Sequence, residues 1–192
     1  MTYHKHMGLQ GLIDSNRRFD RGAQLANPQR IFRLRPFRAS DCVAIASSLT
    51  DIPALYPGGD IWLHRRLEDV VAHKAICTVA FVRRRLVGLT LEIQKGQGRR
   101  KLSTIFVNPA FRGLGVGSLL LENCFRSWEI AELEEAIVTV RLARMTSTGA
   151  FLLRNGFKRI AIQRNRYGYG QDEAILRWSP LGSPEDRVTQ VN

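Results

Sequence analysis

One stretch of the sequence, residues 103–120, limits the fold of this chain most strongly. An apolar segment rich in β-branched residues leads into a turn, and three glycines then stand at alternate positions before an amphipathic run. The apolar segment predicts a strand, the glycines predict a loop, and the amphipathic run predicts a helix. The sequence therefore predicts a strand, a glycine loop and a helix in direct succession, which is a unit of α/β proteins.

The loop has the composition of a phosphate-binding site. Glycine has no Cβ, so the backbone amides around Gly113, Gly115 and Gly117 can crowd around a bulky anion. The first turn of the following helix adds N–H groups without intrahelical partners and the positive end of the helix dipole. A glycine-rich turn that serves only tight packing of strand against helix is the alternative. The register of strand, arginine, glycines and helix favours the phosphate site.

The spacing of the glycines and their neighbours restricts the class of phosphate ligand that the loop can bind. A nucleoside-triphosphate loop needs Gly-Lys-Ser/Thr where the helix starts, and a dinucleotide loop needs a glycine where this chain has Ser118. The pattern present is Arg-x-x-Gly-x-Gly, filled by Arg112, Gly115 and Gly117. Placed directly after an apolar strand, this motif resembles the coenzyme A pyrophosphate loop of the GNAT N-acetyltransferase superfamily.

The wider pattern predicts a mixed α/β fold whose central sheet is mostly antiparallel and flanked by helices. The predicted order is strand, two helices, three antiparallel strands, helix, strand, short helix and two strands. Residues 30–178 carry this order, which is similar to the GNAT fold. The sequence predicts a flexible or loosely packed arm over residues 1–29 and a polar tail over residues 179–192. This fold often pairs through its last strands, which makes a homodimer one of the oligomeric states that the sequence leaves open.

Composition indicates one domain in a reducing compartment. A length of 192 residues and 44% hydrophobic content suit a single core. No stretch approaches the roughly 18 consecutive apolar residues of a membrane span, and the polar N-terminus does not look like a signal peptide. Cys42, Cys77 and Cys124 are odd in number and far apart, without metal spacing. We therefore expect a cytoplasmic protein with reduced core thiols, no metal and no membrane contact.

A net charge of +12 predicts anionic partners. These are the phosphates of the cofactor, a nucleic acid such as RNA or DNA, or an acidic protein surface. The charge argues against a polyamine acceptor, because such a site would be lined by carboxylates. A basic surface with no dedicated partner is the alternative.

Three consecutive arginines at residues 83–85 mark the turn between two predicted strands. Antiparallel pairing of successive strands places this turn at the same end of the sheet as the glycine loop. We expect one of these arginines to approach the ribose phosphate of the cofactor or an anionic acceptor. A solvated hairpin turn is the alternative.

The resemblance implies acetyl-CoA as the acyl donor. In GNAT proteins the strand before the loop separates from the following strand, and the pantetheine arm binds there like an extra strand. In this chain, the main chain of Ile105, Phe106 and Val107 would bind the arm. The loop residues that would hold the pyrophosphate are Arg112, Gly113, Leu114, Gly115, Val116, Gly117 and Ser118.

The resemblance further implies direct transfer of an acetyl group to an amine of a protein, a peptide or an aminoacyl group. The position that often carries a glutamate base holds Lys101 here, and that of the usual tyrosine acid holds Leu152. We therefore predict Glu92 as the base and Tyr167 or Tyr169 as the hydroxyl donor. The alternatives are an exposed strand glutamate paired with an arginine, and an aromatic pair that flanks Gly168 and packs in a turn. A CoA-binding module with weak or no activity, associated with nucleic acid, is the alternative.

Overall fold

A computed structural model describes residues 31–49, 58–166 and 168–180 of the chain. The predicted arm at residues 1–29 lies outside the described residues, as does most of the predicted tail at residues 179–192. The division of the chain into arm, domain and tail therefore stays a prediction, and the fold below concerns the predicted domain.

Seven strands and four α-helices make up the described part of the chain. The strands are β1 Arg33–Pro36, β2 Ala75–Val82, β3 Arg85–Gln94, β4 Arg99–Val107, β5 Glu135–Arg141, β6 Lys158–Gln163 and β7 Glu173–Trp178. The helices are α1 Cys42–Ser48, α2 Gly59–Val71, α3 Val116–Ile130 and α4 Ala150–Arg154. Short turns of tighter or wider helix occur at Ala39–Asp41, Pro109–Phe111, Leu142–Arg144 and Met145–Gly149.

The strands form one sheet in the order β1-β2-β3-β4-β5-β7-β6. Every neighbouring pair is antiparallel except β4 and β5, which run parallel. A parallel pair needs a crossover connection, and α3 supplies it. The predicted mixed, mostly antiparallel sheet flanked by helices is confirmed.

The parallel pair β4–β5 holds together at one end only. Residues 99–101 pair with residues 135–137, and no pairing continues beyond that point. In contrast, β4 stays paired with β3 as far as Val107, and β5 stays paired with β7 as far as Arg141. The two halves of the sheet therefore diverge from Lys101 towards the glycine loop, which leaves one edge of β4 open in the described residues.

Helices cover both faces of the sheet. The two N-terminal helices pack on one face through Ile45, Leu63 and Leu67, which share a cluster with alternate residues of β2 and β3. On the other face, α3 and α4 pack over β4, β5 and β7. The buried residues of α3 recur at helical spacing, as the amphipathic run predicted. They are Val116, Leu120, Leu121, Cys124 and Trp128.

Candidate active site

A β-bulge lies in β4 just beyond the point where β4 and β5 separate. Leu91 of β3 faces Thr104, whereas the next residue, Glu92, faces Leu102. Ser103 is therefore the extra residue of β4, without a partner across the strand pair. Bulges redirect the backbone and are frequent beside active sites. This one alters the direction of β4 at the edge of the gap.

The end of β4 is fixed by Asn108. Its backbone N–H donates to the Val87 carbonyl at 2.8 Å, and its side-chain Oδ1 accepts from the Ala110 N–H at 3.1 Å. Pro109 follows and cannot donate to a strand ladder. The chain therefore leaves the sheet here and enters the glycine loop.

The loop is shaped by one arginine and two left-handed glycines. Arg112 Nε donates to the Val107 carbonyl at 3.2 Å, so this side chain ties the loop back to the strand. Gly113 and Gly115 have φ values of +78° and +83°, a region that side chains with a Cβ rarely adopt. Gly115 is the N-cap of α3, and no side chain caps that end. The first N–H groups of α3 therefore keep their hydrogen-bonding capacity for a ligand.

Gly117 allows close packing behind the loop. A Cβ at this position would lie 3.3 Å from Cζ of Phe151 and 3.7 Å from Cγ2 of Val107. The following residue of α4, Leu152, is fully buried in the core. The position of the usual acid thus carries an apolar side chain that packs rather than one that donates a proton.

The arginine turn lies at the predicted end of the sheet. Gly88, near the start of β3, pairs with Val107 at the end of β4, which confirms that the turn and the loop are adjacent. The Arg85 guanidinium carbon lies 5.3 Å from the centre of the Phe111 ring. The role of the arginines towards a ribose phosphate or an anionic acceptor stays a prediction.

A cleft of about 540 Å³ opens beside this turn, on the face that carries α1. Two arginines, two serines and an asparagine give it a polar wall. Its described lining consists of Ala44, Ser47, Ser48, Arg84, Arg85, Leu86, Phe106, Asn108 and Pro109. The cleft therefore meets the open end of β4 from the face opposite α3.

Glu92 is buried beneath α3, with 2% of its surface exposed. Its Oε2 accepts from the Trp128 indole Nε1 at 2.6 Å and lies 3.5 Å from Arg100 Nη1. Its Oε1 lies 3.5 Å from the Cys124 sulfur. Both oxygens thus have partners within the core, which favours a structural role. The assignment of Glu92 as the base stays a prediction. The burial of this side chain and the partners of both its oxygens argue against it.

The two predicted tyrosines belong to the connection between β6 and β7. Tyr169 is 99% exposed. Tyr167 lies outside the described residues. Both assignments stay predictions.

The structure brings together a group of charges that sequence reasoning missed. Glu173, the first residue of β7, is 1% exposed, and its Oε2 has no hydrogen-bond partner in the described part of the chain. Arg166 Nε lies 3.8 Å from that oxygen. Burial lowers the pKa of Lys101; Arg166 acts in the same direction, and Glu173 opposes it. A single glutamate at the start of a strand gives no local signal that it is buried.

Comparison with known proteins identifies the fold. Residues 73–159 match the family model described as the acetyltransferase (GNAT) domain. That segment runs from just after α2 to the start of β6 and includes the gap and the glycine loop. It is similar to a GNAT acetyltransferase domain.

Solved structures share the fold of this chain at low sequence identity. The PaiA N-acetyltransferase from Thermoplasma acidophilum, in complex with coenzyme A, is 16% identical, with a TM-score of 0.61, covering 78% of this chain and 99% of its own. A GNAT family acetyltransferase from Elizabethkingia anophelis with acetyl-CoA bound is 15% identical, with a TM-score of 0.60, covering 78% and 98%. The ribosomal-protein-S18-alanine N-acetyltransferase from Escherichia coli is 17% identical, with a TM-score of 0.63, covering 80% and 98%. The predicted GNAT fold is therefore confirmed.

No curated protein sequence matches this chain. Within the described ranges, no three His, Cys, Asp or Glu side chains are grouped so that they could hold a metal ion. None of the helices in those ranges combines the length and the apolar character that crossing a bilayer requires.

Proposed function

We propose that this protein is an N-acetyltransferase that moves an acetyl group from acetyl-CoA directly to an amine of a protein, a peptide or an aminoacyl group. The observation that carries the proposal is the gap between β4 and β5, which ends at an uncapped helix N-terminus. The GNAT domain match and the solved relatives that hold coenzyme A or acetyl-CoA support it.

The gap suits the pantetheine arm of the donor. Beyond residue 101, β4 has no β5 partner in the described residues, which supports the proposal that main-chain groups of Ile105, Phe106 and Val107 bind an extended amide chain. Such binding adds a strand to an open sheet edge. At the far end of the gap, the amides of residues 113–118 would receive the pyrophosphate.

The reaction needs an acceptor nitrogen with a free lone pair and a site for the developing oxyanion. The nitrogen attacks the thioester carbonyl, the carbon–sulfur bond breaks, and coenzyme A leaves as its thiol. A backbone N–H beside the bulge at Ser103 could stabilise the oxyanion. Holding donor and acceptor in the gap supplies a further part of the rate, because proximity removes much of the entropic barrier.

A CoA-binding module without turnover is the second candidate. It is favoured by Lys101 and Leu152 at the positions of the usual base and acid, and by the basic surface, which suits nucleic acid. The two candidates predict different results when amines are supplied. An enzyme releases thiol from acetyl-CoA, whereas a module gains stability with CoA and never turns over.

We further propose a cytoplasmic protein that pairs with a second copy. All three cysteines are free thiols, as expected in a reducing compartment. All six residues of the edge strand β6 are exposed, which supports pairing through the last strands.

The substitution Gly115→Glu tests the cofactor site, with Gly115→Ala as its matched control. Both variants carry the same left-handed backbone strain, roughly 1–2 kcal/mol, but only glutamate adds a carboxylate at the pyrophosphate site. We expect calorimetry to show acetyl-CoA binding to the alanine variant and none to the glutamate variant. Equal binding by the two variants would show that the loop does not hold the donor.

Turnover is tested separately on the native chain. Acetyl-CoA is offered with a pool of peptides that present each of the common N-terminal residues, and thiol release is followed. We expect release with a subset of the peptides. Binding of acetyl-CoA without release would favour the module, and salt-sensitive retention on DNA or RNA would support its association with nucleic acid.

A further inference from the structure

We propose that Glu173 is the general base that removes the proton from the acceptor amine. The inference rests on the proposed acetyl transfer and names the group that prepares the nucleophile. Lys101 holds the position where the family often carries that base, so the chain needs a carboxylate from another element. Glu173 comes from β7, on the far side of the gap.

The position of Glu173 in the sheet supports this assignment. Glu173 pairs with Arg141, the last residue of β5. Arg141 is the residue of β5 that lies farthest from the segment paired with β4. Its neighbour Ala174 and the β4 residue Leu102 both lie in the core under α3. Because side chains alternate along a strand, Glu173 and Lys101 both project from the opposite face. That face carries α1 and the open cleft beside β4.

The chemistry of the carboxylate also fits. Glu173 is 1% exposed, yet Oε2 has no hydrogen-bond partner in the described ranges. Buried carboxylate oxygens without a partner are rare and costly, so such an oxygen points to a ligand. An ammonium group carries N–H donors that satisfy it. The Nε atom of Arg166 lies 3.8 Å from Glu173 Oε2, which is beyond hydrogen-bond distance.

Charged groups from three elements face this carboxylate. They are Lys101 on β4, Arg141 on β5 and Arg166 in the connection from β6. The charge of Glu173 acts on Lys101, the last β4 residue paired with β5, so the carboxylate lies within electrostatic range of the point where the strands separate. This is the side of the gap from which an acceptor can approach without crossing α3.

The proposed step balances as follows. The acceptor arrives as an ammonium ion and gives one proton to Glu173 Oε2, which leaves a neutral amine with a lone pair. The amine nitrogen forms a bond to the thioester carbon, and the carbon–sulfur bond breaks. The nitrogen loses a second proton, which the departing thiolate takes up. Glu173 then returns its proton to water, so one proton is released for each acetyl group transferred.

Glu173→Gln is the central variant, and Glu135→Gln is its matched control. Glutamine keeps the size of the side chain but cannot accept the proton. Glu135 is a carboxylate at the other end of β5, paired with Arg99 at 3.2 Å. The probe is acetyl-CoA with the peptide of the pool that the native protein acetylates fastest. We expect kcat to fall by about 10²–10⁴-fold in Glu173→Gln and to stay within about twofold in the control.

Two further readouts separate a base from a structural residue. The binding of acetyl-CoA should be equal in Glu173→Gln and the native protein. The fall of kcat on acidification in the native protein should disappear in the variant. Glu173→Asp, which keeps the carboxylate but shortens the side chain, should recover part of the rate.

A third readout does not depend on an acceptor. Removing the charge of Glu173 should lower the pKa of Lys101 further, which a lysine titration followed by NMR measures. An unchanged Lys101 titration, or a kcat for Glu173→Gln equal to the control, overturns the inference while acetyl transfer stands. A native protein that binds acetyl-CoA but acetylates no peptide of the pool overturns both proposals.

Discussion

Asp41, at the turn from β1 into α1, is the most fully bonded carboxylate on the N-terminal side of the domain. Its two oxygens accept from Nη1 and Nη2 of Arg35, both at 2.7 Å, and one also accepts from the Arg38 N–H at 2.8 Å. The same turn leads directly into α1, whose Ile45 is fully buried. The charge pair thus fixes the angle at which the helix meets the sheet.

Replacing this carboxylate should destabilise the fold. In Asp41→Asn one oxygen becomes an amide donor that faces Arg35, and the charge is lost. We expect the free energy of unfolding to fall by about 1.5–3 kcal/mol, the range for hydrogen bonds to charged groups. Urea unfolding measures it, with the exposed Glu129→Gln as control. An unchanged midpoint would mean that the pair adds no net stability.

The Arg35–Asp41 pair also makes the free energy of unfolding depend on pH in the acid range. The hydrogen bond from Arg35 holds the pKa of Asp41 below its ordinary value of 3.8. The unfolded chain therefore binds this proton more readily than the native one, and stability falls as the pH drops below that value. Above it the contribution is fully present. Asp41→Asn should lose this part of the pH dependence, which unfolding curves between pH 2 and 6 record.

At the scale of elements, Gly88 sets the distance between β3, β4 and α3. A Cβ there would lie 2.8 Å from the Phe106 carbonyl oxygen, 3.0 Å from Leu120 Cδ1 and 3.2 Å from Val116 Cγ1. The first contact is backbone, so it cannot yield by a change of rotamer. Val116 opens α3 directly after the glycine loop, so this contact reaches the phosphate site.

Gly88→Ala should therefore affect both stability and the donor site. Overpacking of this kind costs roughly 1–3 kcal/mol, and an outward shift of α3 relieves the contacts with Leu120 and Val116. We expect a lower urea midpoint together with weaker acetyl-CoA binding in calorimetry. If Gly88→Ala is destabilised but binds acetyl-CoA with native affinity, the strain does not reach the start of α3.

The sequence allowed correct prediction of those elements whose signals are local. The β2–β3 hairpin, the order of strands and the strand–loop–helix unit follow from apolar periodicity and glycine placement. The predicted short helix begins at Ala150, after a wide turn over Met145–Gly149. Met145 packs against the core under α3, a contact that the periodicity does not encode.

Side-chain burial was the harder part to predict. The sequence predicts Glu92 as a base or as an exposed strand glutamate paired with an arginine. In the structure it is buried, and both Arg100 and Trp128, which lies 36 residues away in the sequence, bond to it. Glu173 gave no signal, because its burial arises from the way β7 lies between β5 and β6. The proposed cofactor loop consists of consecutive residues, whereas the proposed proton acceptor depends on contacts between distant elements.

At the scale of the whole molecule, the sheet consists of two parts joined by a short contact. Only three residue pairs connect β4 with β5, although the core under α3 spans both parts. Backbone beyond this contact lacks a cross-strand partner on one side. Such segments open more readily than fully paired strands, and they exchange their amide hydrogens faster.

Acetyl-CoA should therefore protect one specific region of the molecule. A donor that lies in the gap would hydrogen-bond to the amides of residues 102–107 and 138–141 or shield them from solvent. The amides of the β2–β3 hairpin are already paired with each other. We expect slower hydrogen exchange in those two segments and little change in the hairpin. At about one hundred times the dissociation constant, binding adds roughly 2.7 kcal/mol to the free energy of unfolding. Stabilisation with protection confined to the arginine turn would place the ligand outside the gap, and would contradict the strand-like arrangement on which the transfer depends.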